Sequence, residues 1–112
     1  MAFRIERIEK IIERELSMIF LLESRDERLK HITVTRVKLT NDGSLATISF
    51  TVRKEHLEEK AAQTALESAK GFLKTELSKK LDIRKIPDLR FKLDDSLEYG
   101  NKIESILTDI NK

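Results

Sequence analysis

The chain has 112 residues, of which 39% are hydrophobic and 38% are charged, and its formal net charge is only +2. This length fits one domain, because a second core would be too small to be stable. The chain contains no cysteine, which excludes disulfides, thiolate nucleophiles and cysteine-based zinc sites, and no apolar run approaches the roughly 20 residues that a membrane-spanning helix needs.

The first predicted element is an amphipathic helix near the start of the chain. Apolar residues recur there at spacings of three and four, which places them on one buried face. These residues are Ile5, Ile8, Ile12, Leu16 and Ile19. The residues between them are largely charged, among them Glu6, Arg7, Glu9 and Lys10. Because such charges argue against a cleaved signal peptide, we expect a cytoplasmic protein.

A β-hairpin is predicted next. Residues 32–39 are rich in β-branched side chains, which is typical of a strand. Asn41, Asp42 and Gly43 tolerate the backbone angles of a tight turn. In the strand that follows, apolar residues alternate with polar ones, so one face of the sheet would be buried against helices. The apolar residues are Ala46, Ile48, Phe50 and Val52.

From about Glu55 to Leu81 the apolar spacing is helical again, over a stretch too long for one average helix. Gly71 weakens helix formation near the middle of this stretch. Together with Ala69 it offers little side-chain bulk, so the helix axis can turn there and another backbone can approach closely. We therefore predict two helices joined by a kink at Ala69 and Gly71. The kink either receives nucleic acid or simply lets two helices pack.

A third strand and a last helix complete the predicted order. Pro87 prevents helix continuation and favours an extended Ile86. The next apolar residues alternate with basic ones and predict a strand. They are Leu89, Phe91 and Leu93. Asp95 or Ser96 can cap a final helix. Its buried stripe would be Ile103, Ile106, Leu107 and Ile110. The prediction is an α+β fold of order α-β-β-α-kink-α-β-α, in one domain over residues 1–112.

Positive charge is concentrated in one segment. Residues 70–92 hold eight basic and three acidic side chains, a local excess of +5. Such an excess attracts the nucleic-acid backbone, and each phosphate that is neutralised releases counterions. The predicted RNA contacts are Lys70, Lys74, Lys79, Lys80, Arg84 and Lys85. The alternative is an ordinary solvated helix face, on which Glu76 pairs with Lys80 one turn away.

Two other sets of polar residues bear on RNA contact, and only the first of them, the basic residues of the first helix, is a possible secondary contact. On the first helix the basic residues are interleaved with glutamates. These basic residues are Arg4, Arg7, Lys10 and Arg14. The open face of the sheet is predicted to carry Thr47, Ser49, Thr51, Arg53, Arg90 and Lys92. A base-stacking platform needs exposed aromatic rings, and none is expected on this face. Any RNA contact should therefore favour phosphate, sugar and shape over base identity.

No constellation for catalysis is evident. His31 and His56 are far apart in the sequence and lack the spacing of a metal pair, so we interpret them as solvent-exposed. Asp94 and Asp95 are adjacent and suit a turn or a helix cap better than an acid/base pair. The three glycines are isolated, so there is no phosphate-binding loop. We expect no enzyme activity, metal, cofactor or small-molecule substrate.

Taken together, the order of elements and three short motifs resemble ribosome-binding factor A, a family of small bacterial assembly factors of the 30S ribosomal subunit. The motifs are Ala69-Lys70-Gly71 at the predicted kink, the segment 86–91 entering the third strand, and Asp95-Ser96-Leu97 with Gly100 and Ile103 opening the last helix. Each motif alone is weakly specific. In this order, across a chain of this length, they are strongly specific.

The resemblance implies a type II KH-like fold, in which the usual GxxG loop is replaced by an Ala-x-Gly kink between two helices. A GxxG loop clamps the backbone of a single strand, so its absence favours docking of the basic helix on folded rRNA. The resemblance also implies a monomer that binds 16S rRNA within free 30S subunits, assists late rRNA maturation and supports growth in the cold. Some members carry a long charged C-terminal tail, whereas this chain ends at Lys112, so either the function of such a tail is missing or the tail has been trimmed.

Two alternative functions remain open at the level of sequence. The protein could be an interaction module that docks on a ribosomal protein or another assembly factor through an apolar patch. Binding through phosphates should weaken steeply as salt rises, whereas binding through an apolar interface should change little. A hydrolase or nuclease is the third interpretation, and it has no metal-binding or nucleophile set to support it.

Overall fold

The computed structural model describes residues 2–23 and 26–94. Helix α1 spans Ala2–Met18 and runs into a wide π-helical turn at Ile19–Glu23, and a short 3-10 helix covers Glu27–His31. Strands β1, Ile32–Leu39, and β2, Leu45–Val52, precede helix α2, Glu59–Lys80, and strand β3, Asp88–Leu93. The predicted final helix and its Asp95 or Ser96 cap lie outside the described residues.

The three strands form one mixed sheet in the order β1-β2-β3. β1 and β2 pair antiparallel, and β2 and β3 pair parallel because α2 carries the chain back across the sheet. The predicted hairpin is confirmed: the chain turns between Thr40 and Ser44, and Gly43 has a φ of 74°. Asp42 accepts hydrogen bonds from the Thr40 hydroxyl and the Ser44 N–H, which hold this turn closed.

A β-bulge in β1 explains the pattern of burial along that strand. The register shifts between Val34 and Arg36, so one extra residue is inserted in the pairing with β2. Ile32 and Val34 before the bulge and Val37 and Leu39 after it are consequently all buried. Strict alternation would have turned the second pair to the open face.

The core lies between the sheet and the two helices. α1 contributes Ile12 and Leu16, which are fully buried, and the wide turn adds Ile19 and Phe20. The predicted inward residues of β2 and β3 are buried or half-buried on the same side of the sheet. They are Ala46, Ile48, Phe50, Val52, Leu89, Phe91 and Leu93. The predicted third strand and sheet faces are therefore confirmed.

One helix occupies the segment in which two were predicted, which corrects that expectation. α2 is helical without interruption over 22 residues, and Ala69 and Gly71 both lie inside it. A glycine in a helix costs only about 1 kcal/mol relative to alanine. Leu66, Leu73 and Leu77 are fully buried on one face of α2, both before and after Gly71, and their burial stabilises the helix through the glycine.

Within the described residues, neither helix is long and apolar enough to cross a membrane. α1 is tied to the outer strand by a hydrogen bond from the Leu39 N–H to the Glu9 carboxylate, at 2.8 Å. This bond satisfies a backbone donor on the edge strand and fixes α1 across the sheet.

Candidate nucleic-acid interface

Three of the predicted RNA-binding lysines are already ion-paired within the chain. Lys70 Nζ lies 2.7 Å from Glu67 Oε2, and Lys79 Nζ lies 3.2 Å from Glu76 Oε1. Glu76 therefore pairs with Lys79 rather than with Lys80 as expected, because a spacing of three residues also brings side chains together on a helix. These exposed pairs are weak, so a phosphate can compete with each glutamate for its lysine.

Lys74 belongs to a cluster around Asp88 at the start of β3. Its Nζ lies 2.7 Å from Asp88 Oδ1. The hydrogen bond from Lys74 is the main cause that lowers the pKa of Asp88, and the charges of Lys74, Lys85 and Lys70 lower it further. Three of the predicted cations therefore act on one carboxylate and share one local field.

The six predicted residues do not share one helix face. Lys70 and Lys79 are nine positions apart, which places them on opposite sides of α2 at about 100° per residue. The Lys70 side of α2 faces β3, since Gln63, on the same side, donates to the Phe91 carbonyl at 3.2 Å. Lys79 lies on the far side, together with the half-exposed Phe72. The charged segment is thus a band around the end of α2 rather than a stripe along it.

Lys80, Arg84 and Lys85 differ from the other three predicted residues in their pairing. All three side chains are exposed, and none forms an ion pair with any residue in the ranges 2–23 and 26–94. A cation that forms no ion pair within the chain has no salt bridge to break when it binds a phosphate. These three residues are therefore the strongest members of the predicted set.

The structure also brings Arg4 to Arg84 and Lys85, a placement that sequence reasoning ranked low. All three line a groove of about 550 Å³ between the start of α1, the β1–β2 loop and the segment before β3. The 17 residues of α1 and the eight of β1 both span about 25 Å, so an antiparallel helix begins level with the end of the strand. Matched element lengths were the signal that could have placed Arg4 here.

The other basic residues of α1 do not line this groove. Arg14 instead lies 3.4 Å from Glu15, its neighbour in the sequence. That the remaining basic residues of α1 are weak candidates for RNA contact therefore stays a prediction. Arg4 differs from them because it lies at the helix start and lines the groove.

The β1–β2 loop contributes one fixed negative charge to the same groove. Asp42 Oδ1 accepts hydrogen bonds from Thr40 Oγ1 at 2.7 Å, Ser44 Oγ at 2.7 Å and the Ser44 N–H at 3.0 Å. These bonds lower the pKa of Asp42 to about 2, with the Thr40 hydroxyl as the largest cause. The carboxylate is therefore charged at neutral pH, and its Oδ1 is occupied by the loop itself.

The open face of the sheet carries polar and basic side chains on β2, on β3 and directly after β2. Arg53, Arg90 and Lys92 are exposed there, whereas Phe50 and Phe91 are buried on the opposite side. Within the described strands, the open face thus offers charge but no aromatic ring for base stacking.

The two histidines, which are far apart in the sequence, meet in the structure. The rings of His31 and His56 stack with centroids 4.9 Å apart, because the residue after β2 returns to the start of β1. His31 is half-buried and His56 is exposed. Sequence distance concealed this contact, since antiparallel pairing brings the ends of a hairpin together. No group of three metal-ligating side chains exists among the described residues.

Comparison with known proteins identifies the family to which the chain belongs. Residues 4–107 match the family model of ribosome-binding factor A. The chain belongs to this family. The ribosome-binding factor A of Macrococcus caseolyticus is 39% identical over 112 residues, which cover 100% of this chain and 98% of that protein. That of Brevibacillus brevis is 42% identical over 108 residues, covering 96% and 89%.

Solved structures extend the similarity to the fold. The crystal structure of ribosome-binding factor A from Thermus thermophilus has a TM-score of 0.72 at 28% identity, covering 80% of this chain and 93% of that one. A Thermus thermophilus homology model fitted into the cryo-EM map of a complex with 30S has a TM-score of 0.64 at 29% identity, covering 77% and 90%. The predicted α+β, KH-like fold and the family resemblance are both confirmed.

Proposed function

We propose that this protein is a nonenzymatic assembly factor that binds the free 30S ribosomal subunit and assists the late maturation of 16S rRNA. The observation that carries the proposal is the similarity to the Thermus thermophilus protein fitted into a 30S complex, which extends over most of both chains. From the family resemblance we also propose that the protein is a cytoplasmic monomer. We propose that it supports growth in the cold. Its chemistry needs no cofactor, metal or small-molecule substrate.

The charge distribution supports RNA as the surface that is recognised. Lys80, Arg84 and Lys85 are exposed and lack ion-pair partners in the described part of the chain, and Lys74 is paired with the exposed Asp88 at the start of β3. Such cations contact phosphates and position a protein without reading base identity. Folded rRNA, which presents phosphates at fixed spacings, is a polyanion of this kind.

The mechanism that we propose is differential binding. The factor binds an immature rRNA conformation more tightly than the mature one, and it leaves when mature contacts form. A ligand shifts a conformational equilibrium only by the difference between its affinities for the two states, so no reaction is required. Slow rearrangement of RNA helices at low temperature would make this assistance most important in the cold.

Sedimentation with ribosomal particles tests the proposal. Purified protein is mixed with 30S subunits, 70S ribosomes or naked 16S rRNA at low and moderate salt, beside Lys74→Glu/Lys80→Glu. The control is Arg53→Glu/Lys60→Glu, which changes the net charge equally at two exposed cations near the other ends of β2 and α2. We expect salt-sensitive association with 30S that the first variant loses and the control keeps.

Other outcomes of this experiment are also informative. Absence of any association by the unmodified protein would refute the ribosomal function. Equal association by both variants would remove the end of α2 from the contact surface. Stronger association with 70S ribosomes than with 30S subunits would contradict a role before subunit joining.

A second candidate function is docking on a ribosomal protein or another assembly factor. The observation that favours it is an apolar surface at the end of α1, where Met18, Leu21 and Leu22 are 45%, 63% and 74% exposed. Exposed apolar residues that lie together are typical of protein-binding sites. Leu21→Ser/Leu22→Ser tests it: association that resists salt and is lost in this variant would favour a protein partner.

A further inference from the structure

The groove at the start of α1 is lined by both basic and apolar residues. Its rim is formed by the basic residues Arg4, Arg84 and Lys85, and the β1–β2 loop closes one side with Asn41, Asp42, Gly43 and Ser44. Its floor is apolar and consists of Ile5, Ile8, Leu39 and Ile83. We refer to these residues as the basic groove.

The rim of the basic groove has an excess of positive charge. Three cations face one carboxylate, and within the described ranges 2–23 and 26–94 none of the three cations has an ion-pair partner. Asp42 cannot neutralise them fully, since it carries one negative charge against three positive ones. The rim is therefore able to hold more than one phosphate, because each cation can neutralise one.

The floor of the basic groove supplies apolar surface for contact with a base or a ribose. Ile5, Ile8 and Ile83 are half-buried, so part of each side chain is exposed between the cations. An apolar surface of this kind favours the face of a ribose or a base. In duplex RNA the base faces are stacked within the helix, whereas an unpaired nucleotide can present them to a protein.

The loop adds one group suited to a base edge. Asn41 is exposed, and its side chain forms no hydrogen bond within the part of the chain that the structure describes. An amide side chain offers both donors and an acceptor, which matches the edges of a nucleobase. The loop that carries Asn41 is held closed by the hydrogen bonds of Asp42, so the amide is presented from a preorganised turn.

We propose that the basic groove binds an unpaired ribonucleotide segment, with phosphates on Arg4, Arg84 and Lys85 and a base or ribose on the isoleucine floor. This inference rests on the proposed function, since it names the form of RNA that the factor takes. It places the single-stranded contact between α1, a hairpin loop and the segment before β3, away from the middle of α2. It also provides a contact for an unpaired strand in a chain that has no GxxG loop.

An NMR titration of the full chain tests the proposal. The ¹⁵N-labelled protein is titrated with a single-stranded oligoribonucleotide, with the duplex formed by the same strand, and with an aspartate-rich peptide of equal charge. We expect the single strand to bind most tightly and to shift the amide signals of Ile5, Ile8, Gly43 and Arg84. Shifts confined to residues outside the groove, or preference for the duplex or the peptide, would overturn the proposal.

Variants locate the contact within the groove. Arg84→Glu/Lys85→Glu should weaken single-strand binding about tenfold or more at low salt. Arg53→Glu/Lys60→Glu, with the same change in net charge, should leave binding within about threefold. Ile83→Ser should weaken the single strand more than the duplex, since it alters the floor and leaves the cations. Thermal unfolding of each variant verifies that it folds, and equal losses in the two charge-reversal variants would contradict the assignment.

The titration also separates this proposal from the proposed function. If the unmodified protein sediments with 30S subunits but the oligoribonucleotide does not shift the groove, the groove assignment is wrong and the ribosomal function stands. If the groove binds the single strand but the protein does not sediment with 30S subunits, the groove is an RNA site and the ribosomal function is wrong.

Discussion

Neither the backbone conformation nor the packing within the chain requires a glycine at position 71. Its backbone angles are helical, and a Cβ built there meets nothing within 4 Å. Gly43 is different, since its φ of 74° is unfavourable for a residue with a side chain. The conformational freedom of Gly71 is thus unused in the folded chain. A surface that must come close to α2 is a physical reason for a glycine at this position.

Gly71→Ala should therefore stabilise the protein and weaken its binding. We expect the free energy of unfolding to rise by about 0.5–1 kcal/mol, because alanine has the higher helix propensity. Association with 30S subunits should fall, because the new methyl group occupies the approach surface. Urea denaturation and sedimentation measure the two effects. Gly43→Ala is the control and should destabilise by about 1 kcal/mol, and unchanged 30S association of Gly71→Ala would remove this point from the interface.

Asp42 links the stability of the hairpin to pH. Its pKa is lowered from 3.8 to about 2 by bonds that the unfolded chain lacks. A carboxyl group with a depressed folded-state pKa stabilises the protein above its unfolded pKa, and this contribution is lost as pH falls through the folded value. The stabilisation from Asp42 is therefore fully present above about pH 4 and is lost towards about pH 2.

Asp42→Asn should lower the midpoint of thermal unfolding at neutral pH, because the charged acceptor is lost. The difference from the unmodified protein should shrink as the pH falls from about 4 to about 2. Circular dichroism melts across this range measure it. Asp82→Asn, at an exposed residue between α2 and β3, provides a control for the loss of one negative charge. A difference that stays constant with pH would contradict this role of Asp42.

At the scale of elements, α1 and α2 both bury an apolar face against the sheet, and α2 does so without a side-chain cap at its start. Glu58 precedes α2 but makes no side-chain capping hydrogen bond. Leu16 on α1 and Leu66 on α2 are both fully buried in the core. Helices of this length in water are held mainly by the packing of one apolar face.

Leu16→Ala should consequently lower the free energy of unfolding by about 2–5 kcal/mol, through lost burial and the cavity that remains. Leu22→Ala, six positions later, is the matched control, since that side chain is 74% exposed. It should change the stability by no more than about 0.5 kcal/mol. Chemical denaturation of both variants tests the prediction, and similar losses in the two would place Leu22 in the core.

At the scale of the whole molecule, the internal ion pairs divide the basic residues into two classes. Lys70 and Lys79 are partly neutralised by Glu67 and Glu76, whereas Arg84 and Lys85 have no such partner among the described residues. Counterions condense around the phosphates of free nucleic acid and are released when positive side chains neutralise those phosphates, which sets the salt dependence of binding. The two classes should therefore differ in a salt titration.

Arg84→Gln/Lys85→Gln should reduce the slope of log affinity against log salt by about 1.4–1.8, as expected for two lost phosphate contacts. Lys70→Gln/Lys79→Gln should reduce it by less than about 1, because those lysines already have carboxylate partners. Sedimentation with 30S subunits at several salt concentrations gives both slopes. A larger effect of the second variant would reverse the ranking of the six predicted residues.

Local patterns sufficed for most of the fold. Alternating residues from Ala46 to Val52 predicted a strand and its buried face, and Asn41-Asp42-Gly43 predicted the turn before it. These signals are reliable because side chains alternate across a strand and few residues accept a positive φ. The predicted helix break at Gly71 was wrong. The helix propensity lost at a single glycine is smaller than the stabilisation from burying the leucines on both sides of it.

The sequence by itself determined the family, the faces of the sheet and the segment that carries the positive charge, since each depends on residue order or local periodicity. Tertiary structure decided which charges are available. It paired Lys70, Lys74 and Lys79 with carboxylates, and it brought Arg4 across the fold to Arg84 and Lys85. The physical reason is that ion pairing and the local electric field depend on the distances between charges. These distances are established by the lengths of the helices and strands and by how they pack.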